Sequence, residues 1–361
     1  MQSISFDARN LIWTLFRLKE KKLVKEITRV AIIGASGYTG LELVKMLHAH
    51  PKFEITYVGT SQGGEKLSDL HPSLKDIVEF DVLKSDAKEI AQVADLAFLA
   101  LPHKAAMGFA KELISLHVKV VDLSADYRLE LNTYEEFYCP HEDKKNLPNS
   151  VYGLPEIYRD EIKKSSLVAN PGCYPTASLL GLLPFVNMID ESSPVFIDAK
   201  SGVSGAGKKA NDVTHFVKID ENMFAYNPLK HRHSPEIREK LRLLTQKDFE
   251  VNFVPHLIPI TRGMLVSIYL KLNSQVDALN VLKEFYSDEK FVRVRENPVD
   301  IKSTAGTNFC DIYVAQNGTS LFISSSIDNL LRGASSQAVT NANLMCGYEE
   351  NLGIPIFAYV P

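Results

Sequence analysis

Cys173 stands in the segment Asn170-Pro171-Gly172-Cys173-Tyr174-Pro175-Thr176-Ala177, directly after a Pro-Gly turn and at the head of an apolar run through Leu179, Leu180 and Leu183. A thiol at a helix start meets unpaired backbone N–H groups and the positive end of the peptide dipoles, which lower its pKa and raise the thiolate fraction. That suits a nucleophile. Cys139, Cys310 and Cys346 have no such context, form no C-x-x-C pair and read as small buried hydrophobes. A nucleophilic thiol needs a proton partner, and the densest histidine cluster is Lys230-His231-Arg232-His233-Ser234-Pro235-Glu236-Ile237. His231 and His233 are two apart, so an extended segment would turn both to one side, where one could meet the thiol. Metal ligation is a weak rival, because no third ligand has a recognisable spacing and Lys230 and Arg232 would repel a cation. An exposed basic loop is the plain alternative. His48, His50 and His71 join no such cluster.

Two further segments combine small residues with positive charge, as an anion-holding site requires: Lys200-Ser201-Gly202-Val203-Ser204-Gly205-Ala206-Gly207-Lys208-Lys209 and Ile260-Thr261-Arg262-Gly263. Lys200, Ser201, Gly202 and Arg262 are the candidates for holding substrate. The first segment is not a P-loop, since Lys208 is followed by Lys209 rather than Ser or Thr. A flexible surface loop is the competing reading.

A glycine turn precedes all of these. Val30-Ala31-Ile32-Ile33 reads as a buried strand and runs into Gly34-Ala35-Ser36-Gly37-Tyr38-Thr39-Gly40, followed by a helical repeat through Leu43, Val44 and Leu47. Strand, glycine turn and helix in that order form a dinucleotide cradle: glycine lets the backbone approach a pyrophosphate, and the helix N-terminus supplies N–H donors. Ser36, Tyr38 and Thr39 are the side chains of that turn. At the end of the next strand candidate, 53–58, no carboxylate stands ready for a ribose 2′-hydroxyl. Ser61 and Lys66 could instead serve a 2′-phosphate, so NADP is favoured, while Glu65 keeps NAD open.

The elements that must position these residues follow from periodicity. Strands near 96–101, 118–123 and 167–169 alternate with helices near 86–94 and 104–116, which predicts a doubly wound parallel sheet. Strand-like runs at 195–199, 251–254, 265–270 and 321–327 with long polar connections predict a second, mixed sheet. Residues from Asp328 onward read as one long helix, with Ala334, Ala338, Asn341 and Leu344 on one face, that returns to the first unit. The expected division is an N-terminal extension over 1–28, a dinucleotide-binding unit over 29–172 plus 329–361, and a second unit over 173–328.

Composition narrows the function classes. The 361 residues are 45% hydrophobic and 23% charged, the balance of a globular protein of two or three units. With 40 basic against 44 acidic side chains and no basic stripe, nucleic acid is not an expected partner. The apolar stretch 11–18 is too short to span a membrane and has its lysines after it rather than before it, so neither a membrane span nor export is expected. Few, scattered cysteines fit the cytoplasm. A dinucleotide, a thiolate and a histidine together point to acyl-level redox chemistry through a thioester.

The chain resembles the N-acetyl-gamma-glutamyl-phosphate reductases, arginine-pathway relatives of aspartate-semialdehyde dehydrogenase. The matching segments include G-A-S-G-Y-T-G at 34–40, L-A-L-P-H at 99–103, D-L-S-A-D-Y-R at 122–128, Y-G-L-P-E at 152–156, N-P-G-C-Y-P-T-A at 170–177, K-S-G-V-S-G-A-G at 200–207, H-R-H-S-P-E at 231–236 and D-N-L-L-R-G-A at 328–334. The resemblance implies Cys173 as nucleophile, His233 as acid and base with His231 nearby, and Pro102 and Asn329 beside the cofactor. It implies an α/β fold: a Rossmann dinucleotide-binding domain plus an α+β catalytic and dimerisation domain with a mixed sheet, in a homodimer or homotetramer. It implies NADPH-dependent reduction of N-acetyl-glutamyl 5-phosphate to the semialdehyde. Gln62 stands where an arginine is frequent in the family, and Ser336 where a glycine is frequent. A reductase of an aminoadipyl phosphate in lysine synthesis is the nearest alternative, and a non-catalytic dinucleotide-sensing module is the alternative of another class.

Overall fold

The computed structural model describes residues 27–359, so the expected extension over 1–28 lies almost wholly outside the described residues. The first sheet has seven strands: β1 (Thr28–Ile33), β2 (Phe53–Thr60), β3 (Leu83–Lys84), β4 (Leu96–Leu99), β5 (Lys119–Asp122), β6 (Val151–Tyr152) and β7 (Leu167–Ala169). They lie in the order β3-β2-β1-β4-β5-β7-β6, all parallel. Parallel strands covered on both faces read as unbroken apolar runs, and Val30 to Ile33 and Leu96 to Leu99 are all fully buried. The strand order reverses between β1 and β4, which opens a crevice outside their carboxyl ends. Helix α1 (Tyr38–His48) begins at that point.

The second sheet comprises β8 (Val195–Gly202), β9 (Phe224–Ala225), β10 (Val251–Ile258), β11 (Met264–Lys271), β12 (Val292–Val294), β13 (Cys310–Asn317) and β14 (Ser320–Ile327), ordered β12-β13-β14-β11-β8-β10-β9. It is mixed: β8 pairs parallel with β10 and antiparallel with β11. Along β8, Val195, Ile197, Ala199 and Ser201 turn inward while Phe196, Asp198 and Lys200 turn to the opposite face. Helix α3 (Cys173–Leu182) covers the inner face and is buried at every position after Cys173, as a helix apolar all round must be. The outer face keeps Phe196 at 51% and Tyr269 at 49% exposure. Three more helices concern the site: α2 (Pro155–Lys164), α4 (His233–Thr245) and α5 (Ser335–Met345). Among the described residues no helix is long and apolar enough to cross a membrane.

One expectation is corrected. The helix expected from Asp328 onward starts only at Ser335, because the Asp328 carboxylate takes the N–H groups of Leu330 and Leu331 and holds the chain in a turn. It does pack against α1 and α2 of the first domain. Ser336, where a glycine is frequent in the family, is fully buried and donates its hydroxyl to Asn308. Strand β13 escapes the periodic reading because the buried Asp311, paired with Arg293, interrupts its apolar pattern.

Gly34 joins the two sides of the crevice: its φ is +91°, and a Cβ there would sit 2.2 Å from the Ala100 carbonyl oxygen after β4. Gly34→Ala is expected to destabilise the fold by roughly 1–3 kcal/mol from backbone strain alone, with the clash added. Gly64→Ala, at φ +89° but with open space around it, is the control for strain. Urea midpoints check this, and equal losses would show that the close approach of β1 to β4 costs nothing.

Candidate active site

The carboxyl end of β7 passes through Asn170-Pro171-Gly172 into α3, with Gly172 as the N-cap in extended backbone. Pro175 has no N–H, and the backbone N–H groups of Tyr174 and Cys173 at the helix start favour the thiolate form of Cys173. The half-buried thiol opens into a cleft of about 270 Å³ whose walls come from both domains. Gly37, Tyr38 and Thr39 of the glycine turn form one side, Ala100 and Leu101 after β4 the next, and Ser204, Gly205, Gly207, Lys208 and His233 the far side. Asn329 and Gly333 close the floor. A Cβ on Gly333 would sit 2.6 Å from the Cys173 Cβ, so only glycine lets the chain pass there.

His233 is the first residue of α4, not part of an extended pair with His231 as expected. A Cβ on Gly172 would lie 2.6 Å from His233 Nε2, so that nitrogen faces the cysteine turn, while buried Nδ1 has no hydrogen-bond partner among the described residues. His231 is packed beside the site: its ring lies edge-on to Tyr174, Tyr226 and Phe253, at centroid distances of 5.7, 5.4 and 5.5 Å, and its Nδ1 accepts the His233 N–H at 3.1 Å. Arg232, between them, reaches across to the first domain, donating to His103 at 3.0 Å and stacking on Tyr138.

The electrostatics reverse one expectation. Desolvation pushes the Cys173 thiol up to about 11, and the N–H of Tyr174 and the Arg128 charge only partly offset this. Burial, then His231 and Arg128, hold His233 well below the usual imidazole range. Removing water from the cleft outweighs the helix start, so the resting pair is a protonated thiol beside a neutral imidazole.

Other candidates are placed as follows. Gly34 and Gly40 shape the turn, where a Cβ on Gly40 would meet the Gly34 carbonyl at 2.5 Å, and Ser36 is half-buried within it. Ser61 and Pro102 are exposed and do not line this cleft, although both follow carboxyl ends of first-sheet strands. Asn329 accepts from Gly263 N–H at 2.7 Å and donates to Ser204 at 3.0 Å. Ser201 is buried below the cleft, and Gly202 packs on the Arg262 backbone. Strand alternation sends Lys200 to the outer sheet face, where it pairs with Asp198 at 2.6 Å. The Arg262 guanidinium pairs with Asp328 at 2.9 Å and Glu42 at 3.1 Å, outside the cleft.

The sequence reading missed Arg128, Tyr152 and Glu236. Buried Glu236 accepts from the Gly172 N–H at 3.1 Å, the Tyr152 hydroxyl at 2.8 Å and Arg128 at 3.3 Å. Arg128 also donates to the carbonyls of Asn170 at 2.7 Å and Leu123 at 2.8 Å. The only signal was their presence in the D-L-S-A-D-Y-R, Y-G-L-P-E and H-S-P-E segments. His71, set aside earlier, donates to the Ala35 carbonyl in the glycine turn at 2.7 Å.

Comparison with known proteins agrees with this architecture. Residues 29–165 match the family model of the semialdehyde dehydrogenase NAD binding domain, and residues 173–329 that of the semialdehyde dehydrogenase dimerisation domain. Aspartate semialdehyde dehydrogenase II from Vibrio cholerae, in complex with ASA, has a similar fold with a TM-score of 0.68 at 16% identity, over 89% of this chain and 98% of that one. The enzyme from Candida albicans, with NADP, gives 0.67 at 14% over 90% and 99%. The N-acetyl-gamma-glutamyl-phosphate reductase of a Sulfurovum species is 62% identical over 92% of this chain and 99% of its own length. That of Sulfurimonas denitrificans is 61% identical over 92% and 98%. The chain therefore belongs to the semialdehyde dehydrogenase family and, within it, to the N-acetyl-gamma-glutamyl-phosphate reductases.

His231 carries a pH prediction. Burial, then Arg232, depress its pKa to about 4, while the unfolded value is about 6.5. Its contribution to stability is complete above the unfolded value and is lost as pH falls toward 4. The melting temperature should fall between pH 6.5 and 4, less steeply in His231→Gln. Parallel falls in both proteins would refute the assignment.

Proposed function

We propose that this chain reduces N-acetyl-L-glutamyl 5-phosphate with NADPH to N-acetyl-L-glutamate 5-semialdehyde, with release of phosphate, in arginine biosynthesis. The observation that carries this reading is one cleft lined together by the glycine turn, Cys173 and His233. The aminoadipyl alternative is not favoured, since relatives at 53–62% identity are N-acetyl-gamma-glutamyl-phosphate reductases. A non-catalytic sensing module would have no use for an imidazole nitrogen turned toward a thiol.

The residues present fit the dinucleotide. The α1 N-terminus has no side-chain cap and no acidic residue in its first turn, and the turn before it is closed to anything but glycine at Gly34 and Gly40. Gly34, Ser36, Gly37, Tyr38, Thr39 and Gly40 would hold the pyrophosphate, with Asn329 and Pro102 toward the nicotinamide and Ser61 toward the 2′-phosphate.

The Cys173 sulfur attacks the C5 carbonyl as its proton passes to His233 Nε2, and expulsion of phosphate leaves a thioester on the enzyme. NADPH, when bound, supplies the hydride that reduces this thioester. The proton on His233 goes to the resulting thiohemiacetal oxygen. His233 takes it back as the C–S bond breaks and then passes it to the released sulfur, so the aldehyde leaves and both the thiol and the neutral imidazole are restored. The raised thiol pKa fits this cycle: sulfur ionises when a carbonyl is there to receive it, and the Arg128 cation and the Tyr174 N–H stand ready to steady the charge.

The outer face of the second sheet, with Phe196 and Tyr269, is the surface we assign to a homodimer, and a cytoplasmic location fits four cysteines that are all free thiols. Cys173→Ala is expected to abolish reduction and leave NADPH binding unchanged by fluorescence titration. His233→Asn should lower kcat by about 10²- to 10⁴-fold and flatten its pH profile. Phosphate-dependent NADP reduction should proceed with N-acetylglutamate semialdehyde and not with its aminoadipate homologue. The reverse preference would overturn the substrate, and an active Cys173→Ala would overturn the mechanism. Phe196→Asp should convert the dimer to monomer in light scattering, and an unchanged mass would move the interface elsewhere.

A further inference from the structure

His233 and Glu236 are three residues apart on α4, hence on one face a single turn from each other. His233 Nε2 is turned toward Gly172, and Glu236 Oε1 accepts the Gly172 N–H at 3.1 Å. One short stretch of helix thus carries both the imidazole and the acceptor that grips the peptide immediately before Cys173. The same Oε1 accepts the Tyr152 hydroxyl at 2.8 Å, and Oε2 faces Arg128 Nη1 at 3.3 Å. Arg128 in turn holds the Asn170 carbonyl, two residues before Gly172, at 2.7 Å. The carboxylate is only 1% exposed and does not line the cleft, so it touches neither substrate nor cofactor.

We propose that Glu236 is a positioning residue that sets the distance between the two reacting groups, by clamping the cysteine turn to the helix that carries His233. The proposal rests on the reading of Cys173 and His233 as the reacting pair. What the clamp requires is reach: an oxygen at the end of two methylenes, placed where the Gly172 N–H points. Charge opposite Arg128 is a separate requirement, met by any carboxylate.

Two variants separate reach from charge. Glu236→Asp keeps the charge and withdraws the acceptor by one methylene, while Glu236→Gln keeps an oxygen at full reach and gives up the charge. In the full-length enzyme, Glu236→Asp should lose about 10²-fold in kcat while the KM for NADPH stays within about two-fold. Glu236→Gln should restore kcat to within about five-fold of the parent. Cys173 alkylation by iodoacetamide, followed by mass spectrometry against pH, needs no substrate. Its profile should shift in Glu236→Asp although no charge has changed. Wild-type kcat and an unshifted alkylation profile in Glu236→Asp, or a Glu236→Gln enzyme slower than Glu236→Asp, would overturn the proposal. A parent enzyme inactive toward every acyl phosphate, yet showing the Asp-dependent alkylation shift, would sink the assigned reaction and leave the clamp standing.

Discussion

Where β7 ends and α3 begins, three buried residues must turn sharply inside the seam between two domains. Backbone polar groups in such a place call for partners, and three of them draw theirs from distant parts of the chain. The Asn170 carbonyl takes a guanidinium N–H of Arg128, the Asn170 N–H goes to the Asp122 carbonyl, and the Gly172 N–H goes to Glu236. The Asn170 side chain bridges Asn341 and the Ala334 carbonyl. Partners drawn from β5, α4 and α5 therefore converge on one turn, and the thiol's place is a consequence of satisfying that turn.

The buried ion pair between Arg128 and Glu236 has two opposed effects on the sulfur: Arg128 favours the thiolate and Glu236 disfavours it. Because they face each other, the net field at Cys173 is modest and desolvation dominates. A second dry pair, Arg332 with Glu156, lies immediately before Gly333, where the backbone passes over Cys173. Buried pairs of this kind contribute little net stability against apolar replacements but penalise any arrangement that separates them, which favours one seating of the α5 entry segment on the nucleophile.

Periodicity made five strands of the first sheet legible, each a mainly apolar run, whereas β3 and β6 are two residues long and too short to show a period. The glycine turn and Cys173 were legible for a different reason: each sits at a junction between elements, where residue type answers to backbone geometry. Direction was harder to read. Lys200 stands one residue from Ser201, and strand alternation alone sends the two to opposite faces. Arg262 has the right charge, but Asp328, 66 residues away in sequence, occupies it. The fall of the thiol pKa expected from the helix start was overridden by burial, which depends on what the second domain covers. Glu236 and Arg128 are separated by 108 residues, and no local pattern announces that such a pair will meet.

Helix α5 buries Ser335, Ser336, Gln337, Thr340, Asn341 and Asn343 between α1, α2 and the end of β5. Polar side chains like these cannot be left facing an apolar partner, and the apolar surface they sit against cannot be left open. The nucleotide-binding half is therefore interrupted by the whole of the other domain and completed by a segment that follows that domain in the chain. During synthesis its seven strands and their flanking helices are made before the second domain, with a groove that α5 fills later. Truncations that separate the two halves at Gly172 would yield an open, sticky fragment rather than a stand-alone dinucleotide-binding module.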